Sequence, residues 1–229
     1  MAEQGVEIAQ ISFFLARENK TADSIFDQKK DVLKNLSARE FRFSINGTDC
    51  QFVYFETSTA KSNPPWLNFI NEKLPSGERP LFSAKSKSPN GILFLTVNGR
   101  VFAATFGRSA VSYLDRDAFE PDFGIKTAMN LCGNEEIRQT KSESHAITPT
   151  HIDRQVNKPV DSFAFGLSEA EDLRYISAHM KDHKNITLQG RNNLTIKIIG
   201  KEKLNWQMLV DYCEDFLLAY ASKEYTKLF

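Results

Sequence analysis

Cysteine is scarce and widely spaced in this chain. Its three cysteines, Cys50, Cys132 and Cys213, form no Cys-x-x-Cys pair. Disulfide-rich secreted domains and zinc knuckles both need closely spaced cysteines, so the sequence fits neither class. We expect buried, reduced thiols in a cytoplasmic protein.

An excess of one charge and a long apolar run are also missing. Lys plus Arg and Asp plus Glu each number 29, so no global field steers the chain to nucleic acid or to an anionic membrane. No segment reaches the roughly 18 to 20 apolar residues of a membrane span, and the first residues do not resemble a secretory leader. We therefore expect no membrane partner, and a nucleic-acid partner would need a local basic patch.

Motifs for nucleotide and metal chemistry are absent as well. The sequence has no phosphate-binding Gly loop with Lys, no G-x-S-x-G elbow and no dinucleotide fingerprint. His179 and His183 are four residues apart on a predicted helix, but Met180 stands where the zincin pattern has Glu. His145 and His151 match no zinc spacing. The sequence thus predicts no cofactor and no metal site.

Strand patterns are plentiful, and 18 Phe can fill a core. Val6–Leu15 is rich in β-branched and aromatic residues and predicts a central strand. Two hairpins are predicted around Asn-Gly dipeptides, which suit the two positive-φ positions of a tight turn. The first turns at Asn46-Gly47, and the second joins Ile92–Val97 to Arg100–Phe106 through Asn98-Gly99. A third hairpin is predicted around Gly190.

Helical spacing appears in five places. Caps or prolines mark three helix starts, at Thr21, at Pro65 and at a capping box of Ser168 and Glu171 before Leu173, Ile176 and Met180. The other two predicted helices are a short one ending near Cys132 and a long amphipathic one over Leu204–Ala221.

Together these patterns predict an α+β fold: a mixed, mainly antiparallel sheet built from hairpins, with short packing helices and a long C-terminal helix. The stretch 136–160 is polar and long for a connection inside one domain. We therefore expect an α+β lobe over 1–135, a polar loop or linker over 136–160, and a smaller α+β lobe over 161–229.

Cations near the second hairpin are candidates for binding nucleic-acid phosphates. Arg100 and Arg108 flank its return strand, and Lys85 and Lys87 lead into it, so we expect the four at one sheet end. A solvated strand edge that charge protects from aggregation is the alternative interpretation. A weaker patch is predicted near the third hairpin, formed by Arg174, Arg191 and Lys197.

A metal-dependent nuclease is another possibility. Such an enzyme needs carboxylates that hold a cation beside the scissile phosphate, and commonly a Lys. Asp161, Asp182 and Lys184 follow that order. The second carboxylate should lie on a strand beside the first, whereas the pattern places Asp182 where a helix ends. A divalent metal is expected only under this hypothesis.

The C-terminal helix suggests a third function, a non-catalytic protein-interaction or oligomerisation module. Leu209, Tyr212, Phe216 and Tyr220 share one face, and further leucines widen the apolar surface. A second domain or a partner protein would dock there. The Trp66 and Phe69 stripe, by contrast, is more typical of a core than of a base-stacking platform.

Several motifs resemble a known family. The run Gly99–Gly107, the sequence Asp122–Ile125 and Asn130 are similar to a signature of the bacterial and archaeal family catalogued as sporadically distributed proteins. The resemblance spans the chain from its first strand to its last residues. It implies an association with mobile elements or defence islands, and a front half, because members of that family are typically about double this length.

Overall fold

The structure is a computed structural model that describes residues 6–7, 10–25, 30–58, 65–74, 76–77, 87–107, 110–132, 146–147, 160–167, 173–180, 183–191, 194–200 and 203–222. Its strands in chain order are β1 Val6–Glu7, β2 Gln10–Leu15, β3 Arg39–Ile45, β4 Thr48–Ser58, β5 Lys87–Val97, β6 Arg100–Phe106, β7 Ala146–Ile147, β8 Val160–Leu167, β9 Leu173–Met180, β10 His183–Arg191, β11 Thr195–Gly200 and β12 Lys203–Leu204. Its α-helices are α1 Lys30–Asn35, α2 Pro65–Asn71, α3 Phe123–Cys132 and α4 Trp206–Ala221. Segments of 3-10 helix cover residues 23–25, Ala110–Tyr113 and Arg116–Ala118.

Both Asn-Gly hairpins are confirmed. The φ angles are 48° and 86° at Asn46 and Gly47, and 49° and 75° at Asn98 and Gly99. Positive φ at both central residues gives the turn twist that matches the flanking strands. The first turn joins β3 to β4 and the second joins β5 to β6, with Val97 directly opposite Arg100. The third hairpin, β10 with β11, is also present.

One antiparallel sheet runs through both of the expected lobes. Its ten strands follow the order β3-β4-β5-β6-β2-β11-β10-β9-β8-β7. Strand β2 is central, as predicted, because Phe13 pairs with Ala104 of β6 on one side and with Ile196 of β11 on the other. The pairing of β2 with β11 continues this sheet from the first expected lobe into the second. The predicted loop 136–160 also contains strand β7.

Apolar side chains cover both faces of the sheet around β2. Phe13 and Leu15 belong to a core with α2, α3 and α4, whereas Phe14 belongs to a second core with α1 and the 3-10 helices. Alternate residues of a strand point to opposite faces, so neighbouring aromatic residues serve two different cores. The result is a layered α+β fold, as the sequence predicts.

Three local predictions need correction. The strand expected over Val6–Leu15 is split, because Val6–Glu7 pairs with β12 and only Gln10–Leu15 enters the large sheet. Thr21 does accept a hydrogen bond from the Ser24 backbone, but the α-helix begins only at Lys30.

The third correction concerns Leu173–Met180, predicted as a helix and found as strand β9. Ile176, Ala178 and Met180 also fit the period of two that is typical of a strand. This segment pairs with both β8 and β10, and that pairing makes it a strand instead of a helix. The capping box of Ser168 and Glu171 lies outside the described residues.

The C-terminal helix is present and is packed inside this chain. Asn205 caps it by accepting a hydrogen bond from the Met208 backbone at 2.9 Å. Leu209, Tyr212 and Phe216 are each at most 2% exposed. These residues cannot be the docking face of a partner, because the core already covers them. Trp66 and Phe69 are buried too, which agrees with the core interpretation.

Candidate functional site

Arg100 makes contacts within its own chain. Its Nη2 donates to the Ala16 carbonyl at 2.8 Å and to Glu120 Oε1 at 2.7 Å. A Glu18 carboxylate oxygen lies 3.7 Å from Nη1. The Arg100 side chain is only 19% exposed, and its charge is already neutralised. A phosphate at Arg100, as the sequence predicts, would have to compete with these partners, which fasten the end of β2 to the segment around Glu120.

The four expected phosphate contacts do not share one sheet end. Strands β5 and β6 are antiparallel, with Gly91 opposite Phe106 and Val97 opposite Arg100. Lys87 opens β5 and lies beyond the point where β6 finishes, whereas Arg100 lies opposite Val97 at the other end, roughly 34 Å away at about 3.4 Å per residue. Lys85 and Arg108 lie outside the described residues.

Gly107 brings the two strands close at the Lys87 end. Its φ is 88°, and a Cβ there would lie 2.7 Å from the Pro89 carbonyl and 2.8 Å from Asn90 Oδ1. Only glycine fits such an approach without a shift of its neighbours. Asn90 is fully buried and donates to Thr57 Oγ1 at 3.0 Å. The tight packing against Pro89 and Asn90 explains why residue 107 is a glycine, and it fixes where the chain leaves β6.

Arg174 and Arg191 lie on neighbouring strands. Arg191 pairs with Tyr175 of β9 and with Thr195 of β11, so Arg174 and Arg191 are close along the same sheet end. This is the end that Arg100 occupies, but Arg100 is three strand spacings from β10, roughly 14 Å. Lys197 lies further along β11, opposite Gln189.

Two of the three nuclease candidates, Asp161 and Lys184, are found on strands. Val160 pairs with Met180, and Met180 pairs with His183, so Asp161 on β8 and Lys184 on β10 flank the end of β9, roughly 10 Å apart. Asp182 lies outside the described residues, between the end of β9 and the start of β10. The prediction that a helix ends there is wrong.

The prediction that His179 and His183 share a helix is also wrong. His179 is on β9 and His183 is on β10. They therefore do not lie on one face of a helix, as residues four apart in a helix would. The comparison with helical zinc sites depended on that arrangement.

A polar cleft on the outer part of the sheet was not predicted. It encloses about 350 Å³ and is lined by Arg42, Asp49, Gln51 and Thr96 among others. Gln51 is 8% exposed, and its Nε2 donates to Asp23 Oδ1 at 3.1 Å. Counting back from the Asn46-Gly47 turn would have placed Arg42 opposite Gln51. The cleft offers hydrogen bonds, but the described residues contain no group of His, Cys, Asp and Glu that could hold a metal ion.

Two described thiols are unsuited to nucleophilic chemistry. Burial raises the pKa of Cys50 to about 12, and the Asp49 charge adds to that shift. Burial also raises the pKa of Cys213 well above its usual value. Both cysteines are free and buried, as expected from the sequence. At neutral pH they are protonated, and a thiol attacks as its thiolate.

The signature residues that carry the family resemblance hold α3 against its neighbours. A Cβ on Gly124 would lie 2.3 Å from the Thr195 carbonyl oxygen, so glycine lets α3 touch β11. Asp122 accepts a hydrogen bond from the Tyr220 hydroxyl at 3.0 Å. Asn130, fully buried, donates to the Ala219 carbonyl at 2.6 Å. These residues join α3 to β11 and α4, and their arrangement accounts for the motif without a ligand.

Comparison with protein families adds a match over residues 11–229, to a family of unknown function, DUF6119. The chain belongs to the DUF6119 family. The matched region takes in the central strand β2, the α3 signature and helix α4. This agrees with the resemblance to an uncharacterised family.

No curated protein and no solved structure matches this DUF6119 chain. Among its described helices, none has the length and apolar character to cross a membrane.

Proposed function

We propose that this DUF6119 protein binds nucleic acid through the phosphate backbone, at the sheet end marked by Lys87. Lys85, two positions before Lys87, and Arg108, directly after Gly107, complete the proposed contact. The observation that carries the proposal is the pairing of Gly91 with Phe106, which sets the last residue of β6 four residues from Lys87 along β5. In keeping with the resemblance, we assign the protein to a bacterial defence system in the cytoplasm and infer that the chain is the front half of such a protein.

A local cluster of positive charge is the physical reason to expect phosphate binding at this sheet end. The chain has no net charge, so attraction to a polyanion must come from a cluster. Lys and Arg side chains that neutralise phosphates release counterions, and the affinity then falls steeply with salt. Arg174 and Arg191 would form a separate contact, because they lie at the opposite end of the sheet.

The experiment measures binding of labelled single- and double-stranded DNA and RNA by fluorescence anisotropy over a series of salt concentrations. We expect salt-dependent binding that the triple variant Lys85→Ala, Lys87→Ala, Arg108→Ala weakens at least about tenfold and that shows a shallower salt slope. Lys20→Ala, Lys34→Ala, Arg116→Ala is the matched control, since it removes the same charge from exposed positions elsewhere. No binding, or equal loss in both variants, overturns the proposal.

Metal-dependent cleavage is a second candidate, favoured by one observation. Met180 pairs with both Val160 and His183, so Asp161, Lys184 and the link that contains Asp182 converge on one sheet end. Two carboxylates there could hold a divalent cation beside a phosphate while Lys184 stabilises charge. Cleavage of nucleic acid that requires Mg²⁺ or Mn²⁺ and is lost in Asp182→Asn would support this function. Binding without cleavage in either metal excludes it.

A further inference from the structure

Strand β3 is an edge of the ten-stranded sheet. Within the described part of the chain it pairs with β4 alone. All seven residues from Arg39 to Ile45 pair in unbroken register, and none is Pro or Gly. Such an edge presents a row of backbone N–H and C=O groups to another strand.

Two of the three charged residues on β3, Glu40 and Arg42, are of opposite sign and lie two residues apart. Glu40 and Arg42 are exposed, whereas Phe41 and Ile45 are buried in the core. Because side chains alternate, the two charged residues share the face opposite Phe41. A protected edge carries a proline, a bulge or inward-pointing charges. The described edge of β3 has no proline and no bulge, and its one charge on the Phe41 face, Arg39, lies 5.1 Å over the Phe41 ring.

We propose that β3 pairs antiparallel with β3 of a second copy of this chain, about a two-fold axis at Phe41. A two-fold axis perpendicular to the sheet leaves every side chain on its own face. Because directly opposed residues of antiparallel strands share a face, the axis must lie midway between one residue and its own copy in the second chain. An axis at Glu40 or at Arg42 sets like charges opposite each other, which is destabilising. An axis at Phe41 sets Glu40 opposite Arg42 of the second copy, twice, and Phe41 opposite its own copy.

The present contacts of the two charged residues leave them available. Arg42 lies 3.4 Å from Asp23, and the two side chains are 68% and 62% exposed. Glu40 accepts a hydrogen bond from Gln51 at 3.4 Å. Exposed ion pairs of this kind contribute little, so either group can turn toward a facing strand. The pairing is independent of nucleic-acid binding, because β3 and the Lys87 end of β5 are separate surfaces.

Sedimentation of the full chain at low salt tests the proposal. We expect a dimer at tens of micromolar. Arg42→Glu and Glu40→Arg each replace two attractive pairs by two repulsive ones and should weaken dimerisation at least about tenfold. The double swap Glu40→Arg, Arg42→Glu recreates both attractive pairs and should restore the dimer. A monomeric wild type, or a folded double swap that stays monomeric, overturns the proposal, and circular dichroism verifies the folding of each variant.

Cross-linking distinguishes the register. With Cys132→Ser as background, a mixture of the Glu40→Cys and Arg42→Cys chains should form a disulfide-linked heterodimer under mild oxidation, because directly opposed Cβ atoms lie about 5 Å apart. Neither variant alone should cross-link well. Efficient cross-linking of Arg42→Cys to itself would place the axis at Arg42 and overturn the proposed register.

Discussion

Asn130 on α3 donates a hydrogen bond of 2.6 Å to the carbonyl of Ala219, in the last turn of α4. The last carbonyls of a helix have no partner within the helix and must find one elsewhere. We expect Asn130→Ala to lower the free energy of unfolding by about 1 to 2 kcal/mol, since a buried acceptor loses its stronger donor while the Ser222 N–H remains bonded to it. Urea denaturation measures the loss. Asn35→Ala, on an exposed residue, should change stability by less than about 0.5 kcal/mol.

Gly124 should be the least tolerant glycine of the described chain. Its missing Cβ is replaced by the Thr195 backbone, with the carbonyl oxygen at 2.3 Å and the amide nitrogen at 2.7 Å. Gly124→Ala must separate α3 from β11, and we expect a loss of about 1 to 3 kcal/mol or more. Gly77→Ala is the matched control, because nothing lies within 4 Å of its added Cβ. Equal melting temperatures for the two variants would contradict the proposed contact.

Arg100 should affect stability and leave nucleic-acid binding unchanged. Removing it leaves the Glu120 carboxylate, 19% exposed, without its main cationic partner. We expect Arg100→Ala to destabilise the protein by about 1 to 3 kcal/mol. A double-mutant cycle with Glu120→Gln should show a coupling energy for the pair. If Arg100→Ala instead weakened binding while the melting temperature stayed unchanged, the phosphate role would be restored.

Alkaline pH should weaken the fold. Because burial raises the pKa of Cys50 to about 12 from 9.0, the folded state holds its proton over a range in which the unfolded state has lost it. The stability from this group is therefore full below pH 9 and is lost as pH rises toward 12. Burial raises the pKa of Tyr54 and of Tyr220 as well, which adds to the same trend.

Denaturant titrations at pH 8 and pH 10 measure the effect. We expect a lower midpoint at pH 10 and a smaller drop in Cys50→Ala, compared at each pH with its own value at pH 8. An unchanged or higher midpoint for the wild-type chain at pH 10 would contradict the assigned burial.

The hairpins could be predicted because their signals are local. Asn98-Gly99 supplies both the turn geometry and the register of β5 and β6, so this short motif fixes how two strands of the sheet pair. The same reasoning failed for Leu173–Met180, where apolar residues fit periods of two and of about three and a half. Only the neighbouring strands decide between them, and those are distant in sequence.

The candidate site was harder to predict for a related reason. Arg100 and Arg108 are close in the sequence, but Arg100 opens β6 and Phe106, two positions before Arg108, ends it at the other end of the strand. Arg100 also has a partner, Glu120, that no short-range pattern reveals. The signature around Gly124 and Asn130 was visible as a motif, yet its structural role depends on β11 and α4.

The central position of β2 sets a condition on how the protein is made. Phe13 lies between Ala104 and Ile196, so β2 finds its second neighbour only after the chain has been made as far as β11. Until then the nascent chain leaves the β11 edge of this apolar strand unpaired. Folding governed by such distant pairings is slow and prone to aggregation. A DUF6119 chain interrupted between β6 and β11 should therefore depend on chaperones to remain in solution.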